Sequence, residues 1–160
     1  MGKFAVLATV LLLNFVEVAN AQEPDEVAIR AVINQLFDGM RAGDSAAVRA
    51  TFYEEATLKS MRRNREGQEG VRNTALDGFV GFIGAPHDDV YNEVVWDIEV
   101  RIDGNIATAW MNYAFFRGET LSHCGVNSFQ FLKSSQGWRT INLIDSRRPA
   151  ARCEVPDRAM

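Results

Sequence analysis

The spacing of apolar residues changes once along this chain, from the period of a helix to the period of a strand. Between Asp25 and Met40 the apolar residues recur at i, i+3, i+4 and i+7, which is typical of an amphipathic helix. Between Val94 and Ile102 they alternate with mostly polar residues, as in a half-buried strand. Helices early in the chain and strands late predict an α+β domain, with the helices packed on one face of an antiparallel sheet. A chain of 160 residues has the size of a single domain.

Weaker local signals predict the remaining elements. A second helix is expected from Asp44 or Ser45 to Phe52, because Asp and Ser are favourable caps at helix N-termini. Helical spacing predicts a third helix over residues 71–83. Further strands are predicted over residues 56–62, 125–132 and 138–146, and the residues from Pro149 onward are expected to be irregular.

The pair Asp103-Gly104 predicts a two-residue hairpin turn. Pairing across this turn places Ile102 opposite Asn105 and Trp96 opposite Met111. The inner face of the hairpin is then expected to carry Trp96, Met111, Tyr113 and Phe115. The other face is expected to be unusually apolar for a solvated surface, with Val95, Thr108, Trp110, Ala114 and Phe116.

The first 21 residues are predicted to be a signal peptide rather than part of the fold. An apolar run from Phe4 to Val16 follows Lys3, and it is too short to span a bilayer. Ala19-Asn20-Ala21 has the small-residue pattern that signal peptidases recognise, so cleavage is expected between Ala21 and Gln22. This predicts a periplasmic or secreted protein that leaves the membrane after cleavage, with a domain over 22–153 and a tail over 154–160. The alternative is a buried N-terminal helix of a cytosolic protein.

The cysteines, histidines and overall charge exclude or disfavour several classes of function. Export and an even cysteine count predict a Cys124–Cys153 disulfide, the alternative being two free buried thiols. Two cysteines and two histidines are too few for a zinc framework, and His87-Asp88-Asp89 is a weak metal candidate, so no metal and no cofactor are predicted. With 17 Lys and Arg against 21 Asp and Glu, the net charge of −4 disfavours nucleic-acid binding.

The order of elements and two local motifs resemble a known superfamily. A long helix, the turn Ala42-Gly43-Asp44, two further helices and a final strand opened by Gly137-Trp138-Arg139 resemble the nuclear transport factor 2-like superfamily. His123-Cys124-Gly125 and the run Asp145 to Arg148 are similar to exported bacterial members described as SnoaL-like or lumazine-binding. The resemblance covers about residues 26–153 and implies a cone, in which a strongly curved sheet wraps around the helices and leaves an apolar cavity. Because the superfamily includes enzymes and binding modules, activity has to be argued from the site.

Two titratable residues are candidates for chemistry. Asp145 lies in an apolar strand, and burial of its carboxylate would suit a general base. His123 starts the neighbouring strand and is the natural acid partner. The alternatives are structural: an ion pair between Asp145 and Arg147, and a histidine that anchors strand and tail by hydrogen bonds. Cys124 as a nucleophile is disfavoured by the predicted disulfide.

The remaining candidates concern ligand binding. Aromatic residues and methionines on the inner face either line a pocket or fill the core. The ligand-binding candidates are Tyr53, Phe79, Trp96, Met111, Tyr113 and Arg147. Two basic runs, Arg62-Arg63-Asn64-Arg65 and Arg147-Arg148, would gather an anionic ligand if the fold brings them together; otherwise they form a solvated rim.

Three functions remain open at this point. The preferred hypothesis is a protein that binds a small apolar or aromatic molecule in the cavity, without catalysis. The second is an isomerase or dehydratase that uses Asp145 as base and His123 as acid. The third is an interaction module, in which the apolar outer face of the sheet forms a homodimer.

Overall fold

A computed structural model describes residues 14–63 and 66–157, with side chains from residue 23 onward. Residues 1–13 of the predicted signal peptide lie outside this description, and for residues 14–21 only the backbone is described, so export stays a prediction. The elements are α1 (Asn14–Ala42), α2 (Ser45–Ala50), β1 (Phe52–Arg63), β2 (Glu69–Thr74), α3 (Leu76–Gly84), β3 (Tyr91–Asp103), β4 (Ile106–Arg117), β5 (Thr120–Ser134), β6 (Gly137–Ser146), β7 (Arg148–Pro149) and a 3-10 helix (Ala150–Arg152).

The strands form one curled, seven-stranded sheet, which confirms the predicted α+β class and cone. The strand order is β2-β1-β6-β5-β4-β3, and β7 pairs with β5. The sheet is mixed rather than wholly antiparallel, because β1 runs parallel to β6. This parallel pair joins the early part of the chain to the last long strand.

Helix α1 covers the inner face of the sheet with the apolar stripe expected from its sequence. Ile29, Ile33 and Leu36 are each at most 1% exposed. Phe37 packs edge-on against Phe129 of β5, with ring centroids 6.4 Å apart. Burying one such side chain contributes roughly 1.5–3 kcal/mol, so this stripe fixes the helix on the sheet. The helix begins before the predicted start, and Pro24 lies inside it.

Two predictions about helices have different outcomes. The second helix is present, and the side chain of Asp44 caps it by accepting a hydrogen bond from the backbone N–H of Ala47 at 2.9 Å. It ends at Ala50 and not at Phe52 as predicted, because Phe52 begins strand β1. The third helix is shorter than predicted, because residues 69–74 form strand β2 along the edge of β1. Pairing with that exposed edge overrides the helical spacing of a segment that is half polar.

The hairpin between β3 and β4 differs from the prediction in its turn and in its register. The turn is Gly104-Asn105, with Gly104 at φ +57°, so Ile102 pairs with Ala107. A bulge between Trp96 and Glu99 then shifts the pairing by one residue, with Asp97 at φ +52°. Such a shift exchanges the two faces of a strand.

The bulge reverses the predicted faces of Trp96 and Val95 and also determines the position of Glu93. Trp96 pairs with Asn112 on the outer face, and not with Met111 as predicted. Val95 pairs with Tyr113 and packs against the core, although the alternation placed it outside. Glu93 shares this inward parity, so a carboxyl group enters the interior.

The Cys124–Cys153 disulfide is present, as predicted, with the two Cα atoms 5.8 Å apart. It holds the tail against β5, where β7 also pairs: Cys124 lies opposite Arg148 and His123 opposite Pro149. The tail is therefore ordered at this end of the sheet and is not wholly irregular.

Candidate functional site

A cavity of about 480 Å³ lies between α1, α3 and the inner face of the sheet. One side is apolar and includes Leu36, Phe37, Met40, Phe79, Phe82 and Phe115. The other end is polar and includes Ser60, Glu93, Tyr113, His123, Asp145 and Arg147. The resemblance implied an apolar cavity, whereas the polar end of this cavity holds several ionisable groups.

The register of the sheet explains why the polar groups meet. Ser60 of β1, Asp145 of β6 and Asn127 of β5 lie opposite one another in one row across three strands. Glu93 of β3 and His123 of β5 lie in a second row, on either side of Phe115 of β4. Residues that share a row and a face lie about 5 Å apart, so each row forms a continuous line of side chains.

Asp145 is the centre of the first row, and each of its two carboxylate oxygens accepts a hydrogen bond. Ser60 donates to Oδ1, and Arg147 donates from Nε to Oδ2 at 3.0 Å. The hydroxyl of Tyr113 lies 3.4 Å from Oδ2 and donates to the Ser146 carbonyl at 3.0 Å. Burial and the nearby carboxylates of Asp145 and Glu93 raise the pKa of Tyr113, so it remains a donor at neutral pH. Both oxygens of Asp145 therefore already accept hydrogen bonds. This arrangement agrees with the structural alternative, in which Asp145 forms an ion pair with Arg147 instead of acting as a base.

Glu93 is a titratable group that the sequence pattern did not single out. Its Oε1 accepts a hydrogen bond of 2.8 Å from Nδ2 of Asn127, which is itself 3% exposed. Burial and, to a lesser degree, the charge of Asp145 raise the pKa of Glu93 to about 7. The hydrogen bond from Asn127 and the charge of Arg147 oppose this shift by lowering the pKa. A carboxyl group with such a pKa exchanges protons near neutral pH, as a general acid or base does.

His123 lies at the aromatic edge of the polar end. Its ring centroid is 5.1 Å from that of Phe115 and 5.7 Å from that of Tyr113. Its Nδ1 lies 3.0 Å from the hydroxyl oxygen of Ser122. Burial and the charges of Arg147 and Arg62 lower the pKa of His123 to about 4, in spite of the opposing charge of Asp145. The imidazole is therefore neutral at pH 7 and is a weaker candidate for the acid than the sequence suggested.

The structure brings together five of the residues selected from the sequence. Asp145, His123, Phe79, Tyr113 and Arg147 all line the cavity. The three others lie elsewhere. Met111 is completely buried in the core, Trp96 is on the outer face, and Tyr53 is partly buried away from the cavity lining.

A second recess, of about 590 Å³, adjoins the cavity and shares Arg62, His123 and Arg147 with it. We call it the arginine recess, because its lining contains Arg62, Arg63, Arg147, Arg148 and Arg152. The fold thus brings residues of the two basic runs together. This was the condition under which they were expected to bind an anionic ligand. Arg65 lies outside the described residues.

The described residues lack two features that would point to other functions. None of the helices in this part of the chain has both the length and the hydrophobicity that a membrane span requires. Within the same residues, His, Cys, Asp and Glu form no group of three or more with the geometry of a metal site.

Comparisons with known proteins agree with this fold. A family described as "Putative lumazine-binding" matches residues 24–144. An NTF2-like protein with a cystatin-like fold from Novosphingobium aromaticivorans has a TM-score of 0.67 at 15% identity, covering 94% of this chain and 96% of the other. A protein of unknown function from Mycobacterium tuberculosis has a TM-score of 0.67 at 14% identity, covering 87% and 81%.

A third solved structure carries a name that suggests an activity. It is called a "putative dehydratase from the NTF2-like family" of Streptomyces avermitilis and has a TM-score of 0.59 at 12% identity, covering 79% of this chain and 97% of the other. At these identities the solved structures establish the shared fold alone. No curated protein matches the sequence.

Proposed function

Because the chain belongs to the lumazine-binding-like family of the NTF2-like superfamily, we propose that it binds a small aromatic molecule in the cavity between α1, α3 and the sheet. The observation that carries this proposal is the cavity itself, with an apolar side and a polar end. Its volume of about 480 Å³ lies within the usual range of roughly 300–1,000 Å³ for small-molecule sites. Such a site buries the flat faces of a ring system and satisfies its polar edge with a few placed groups.

The two sides of the cavity have different tasks in this proposal. Phe79, Phe82 and Phe115 offer aromatic surface to a ring. Asn127, Glu93 and Tyr113 supply donors and acceptors for ring nitrogens and carbonyl oxygens. Lumazine, with a flat bicyclic ring and several carbonyl and N–H groups, is a suitable first probe because the family description names it.

Two glycines of α3 provide a matched test. Gly78 lines the cavity and Gly81 does not, and a Cβ added at either position meets no atom within 4 Å. We expect Gly78→Leu to fill part of the cavity and weaken the binding of lumazine or naphthalene-type probes at least ten-fold. Gly81→Leu should bind them like the natural chain. Equal binding by both variants, or no binding by the natural chain to any flat aromatic probe in calorimetry, would contradict the proposal.

A second candidate function is proton transfer at carbon, as in an isomerase or dehydratase, and the observation that favours it is Glu93. Its carboxyl faces the cavity and has a pKa near 7, whereas both oxygens of Asp145 are already occupied. We therefore propose Glu93, rather than Asp145, as the base, with the hydroxyl of Tyr113 turning from the Ser146 carbonyl to donate to a developing oxyanion. His123 would act as a neutral partner.

This candidate is tested by hydrogen–deuterium exchange at the acidic carbon of 2-tetralone in heavy water, followed by NMR. The natural chain should accelerate exchange with a pH profile that rises near 7, and Glu93→Gln should abolish the acceleration. Asp145→Asn should retain it in part, provided that the variant folds by circular dichroism. If Glu93→Gln exchanges as fast as the natural chain, Glu93 is not the base.

We also propose that the chain is exported. The apolar run followed by Ala19-Asn20-Ala21 supports this, and a disulfide is stable in an oxidising compartment. Expression of the full chain in a Gram-negative host should yield periplasmic protein whose first residue is Gln22, determined by mass spectrometry. Uncleaved protein in the cytoplasm would refute the proposal.

A further inference from the structure

The arginine recess has an unusual charge for this chain. It carries five arginines, and among the described residues its lining contains no acidic side chain. The whole chain is acidic, with a net charge of −4. A concentration of positive charge on an acidic protein creates a local potential that attracts anions.

Most of this charge is not neutralised within the described part of the chain. Arg147 pairs with Asp145 at 3.0 Å, and Arg63 pairs with Glu69 at 2.6 Å. For Arg62, Arg148 and Arg152, no described carboxylate lies within the 4.0 Å of an ion pair. Three guanidinium groups of the recess lining therefore have no ion pair among the described residues, although Asp145 attracts Arg62 from beyond that distance.

Arg62 has a hydrogen-bond donor that the described residues leave without a partner. Its Nε is buried and has no hydrogen-bond partner among the described residues. Burial and the charges of Arg147 and Arg72 lower the pKa of Arg62 in spite of the opposing charge of Asp145, so the guanidinium is partly desolvated and repelled by the two other arginines. Leaving a buried donor unpaired is unfavourable, and an anion bound in the recess would relieve the repulsion between Arg62 and its arginine neighbours.

We propose, building on the proposed function, that the arginine recess binds the oxyanion of the same molecule whose ring occupies the cavity. The ligand class is an aromatic carboxylate or phosphate. Arg62, His123 and Arg147 line both spaces, so one small molecule reaches from the apolar side into the recess. Guanidinium groups bind both kinds of oxyanion through paired N–H donors.

The tail contributes to this site through covalent and backbone constraints. Arg148 lies opposite Cys124 in the β5–β7 pair, and Arg152 directly precedes Cys153 of the disulfide. The disulfide thus keeps two arginines in the lining of the arginine recess. Pre-organised charges bind an anion without the entropic cost of ordering a free tail.

Three probes with one ring system separate the anion site from the cavity: 2-naphthamide, 2-naphthoate and 2-naphthyl phosphate, titrated calorimetrically into the full chain at pH 7.5. At least one anionic probe should bind about ten-fold or more tightly than the neutral amide, as expected for one charge-assisted hydrogen bond. The tighter of the two anions identifies carboxylate or phosphate as the class. The advantage should shrink in high salt, because exposed charges are screened.

Variants then assign the effect to the recess. Arg148 and Arg152 are exposed, and their replacement by Ser in one double variant leaves the core untouched. It should remove most of the anionic advantage while the amide binds as before. The matched control is Arg101→Ser, which removes an exposed arginine of β3 outside both linings and should retain the advantage.

The outcomes distinguish failure of the recess from failure of the cavity. Equal affinity for amide and anions overturns the anion site and leaves the proposed binding function standing. An anionic advantage that survives in the double variant also overturns it. If none of the three probes binds and inorganic phosphate causes no line broadening in 31P NMR, both proposals fail.

Discussion

Replacing Glu93 with Gln is expected to change how the stability of the protein depends on pH between about 4 and 7. Two partly buried groups, Glu93 and His123, titrate in this range, and their pKa values are shifted in opposite directions. Burial raises the pKa of Glu93 from 4.5 to about 7 and lowers the pKa of His123 from 6.5 to about 4. Asp145 and Arg147 face both groups, and Asn127 faces Glu93.

The sign of each contribution follows from which state binds more protons. Between pH 6.5 and 4 the unfolded chain protonates His123 and the folded chain does not, so stability falls as the pH falls. Between pH 4.5 and 7 the folded chain keeps the Glu93 proton that the unfolded chain loses, so stability falls as the pH rises. Each of these two pKa shifts changes the free energy of unfolding by roughly 3 kcal/mol, or about 2 kcal/mol after screening by solvent.

The two contributions therefore nearly cancel in the natural chain over their shared range, and a variant reveals one of them. In Glu93→Gln the stability should rise by about 2 kcal/mol from pH 4.5 to 6.5 relative to the natural chain, because the His123 contribution remains alone. In His123→Gln it should fall by a similar amount. The amide oxygen introduced by Glu93→Gln still accepts the hydrogen bond from Asn127, so the packing is retained.

Urea unfolding followed by tryptophan fluorescence at pH 4.5, 5.5, 6.5 and 7.5 measures these differences. The matched control is Glu99→Gln, an exposed residue of the same strand, whose curve should run parallel to that of the natural chain. Background titrations, such as that of Asp25, whose pKa is lowered by hydrogen bonds from Lys133 and Trp138, are common to all variants. Curves for Glu93→Gln and the natural chain that stay parallel within about 0.5 kcal/mol would refute the reasoning.

Three further predictions concern packing, the disulfide and the outer face. Gly125→Ala should destabilise the fold by about 3 kcal/mol in urea, because the new Cβ would overlap the Ser146 carbonyl; a loss below about 1 kcal/mol would contradict this. Cys153→Ser should lower the free energy of unfolding by about 3–4 kcal/mol, as expected for a loop of 29 residues, and unchanged stability would contradict it. Trp110 is 55% exposed on the outer face, so Trp110→Ser should convert the predicted homodimer to a monomer in light scattering; a monomeric natural chain would disprove that dimer.

The helices and long strands were predictable because their signals are local. The apolar stripe of α1 and the alternation along β3 are visible within about a dozen residues, and the disulfide followed from the cysteine count and the predicted compartment. The bulge at Asp97 was not predictable in this way. Val94, Val95 and Trp96 are all apolar, so either parity of this segment buries apolar side chains. The alternation therefore gave no sign that Trp96 faces outward and Glu93 inward.

The meeting of the two basic runs depends on a contact between distant parts of the chain. Strand β1 pairs with β6 in parallel, with Met61 opposite Ser146. The next residues along the two strands, Arg62 and Arg147, therefore lie at the same end of this strand pair. No local pattern in residues 52–63 specifies this partner, since the strand signal there is weak and its neighbour lies 85 residues further along the chain, as the Ser60–Asp145 hydrogen bond shows. The charges suggested an anion site, and the pairing of β1 with β6 was needed to assemble it.

The position of Glu93 provides a reason to test catalysis as well as binding. A site that only holds an aromatic ring is satisfied by apolar walls and neutral amides, whereas burying a carboxyl group opposes folding at neutral pH. The bulge adds a residue with positive φ, a conformation that is slightly unfavourable for any side chain but glycine. Both features act against stability, and both are needed to place one titratable group in the cavity. Titratable groups with strongly shifted pKa values cluster at functional sites, and this is the reason to test whether Glu93 exchanges protons with a ligand.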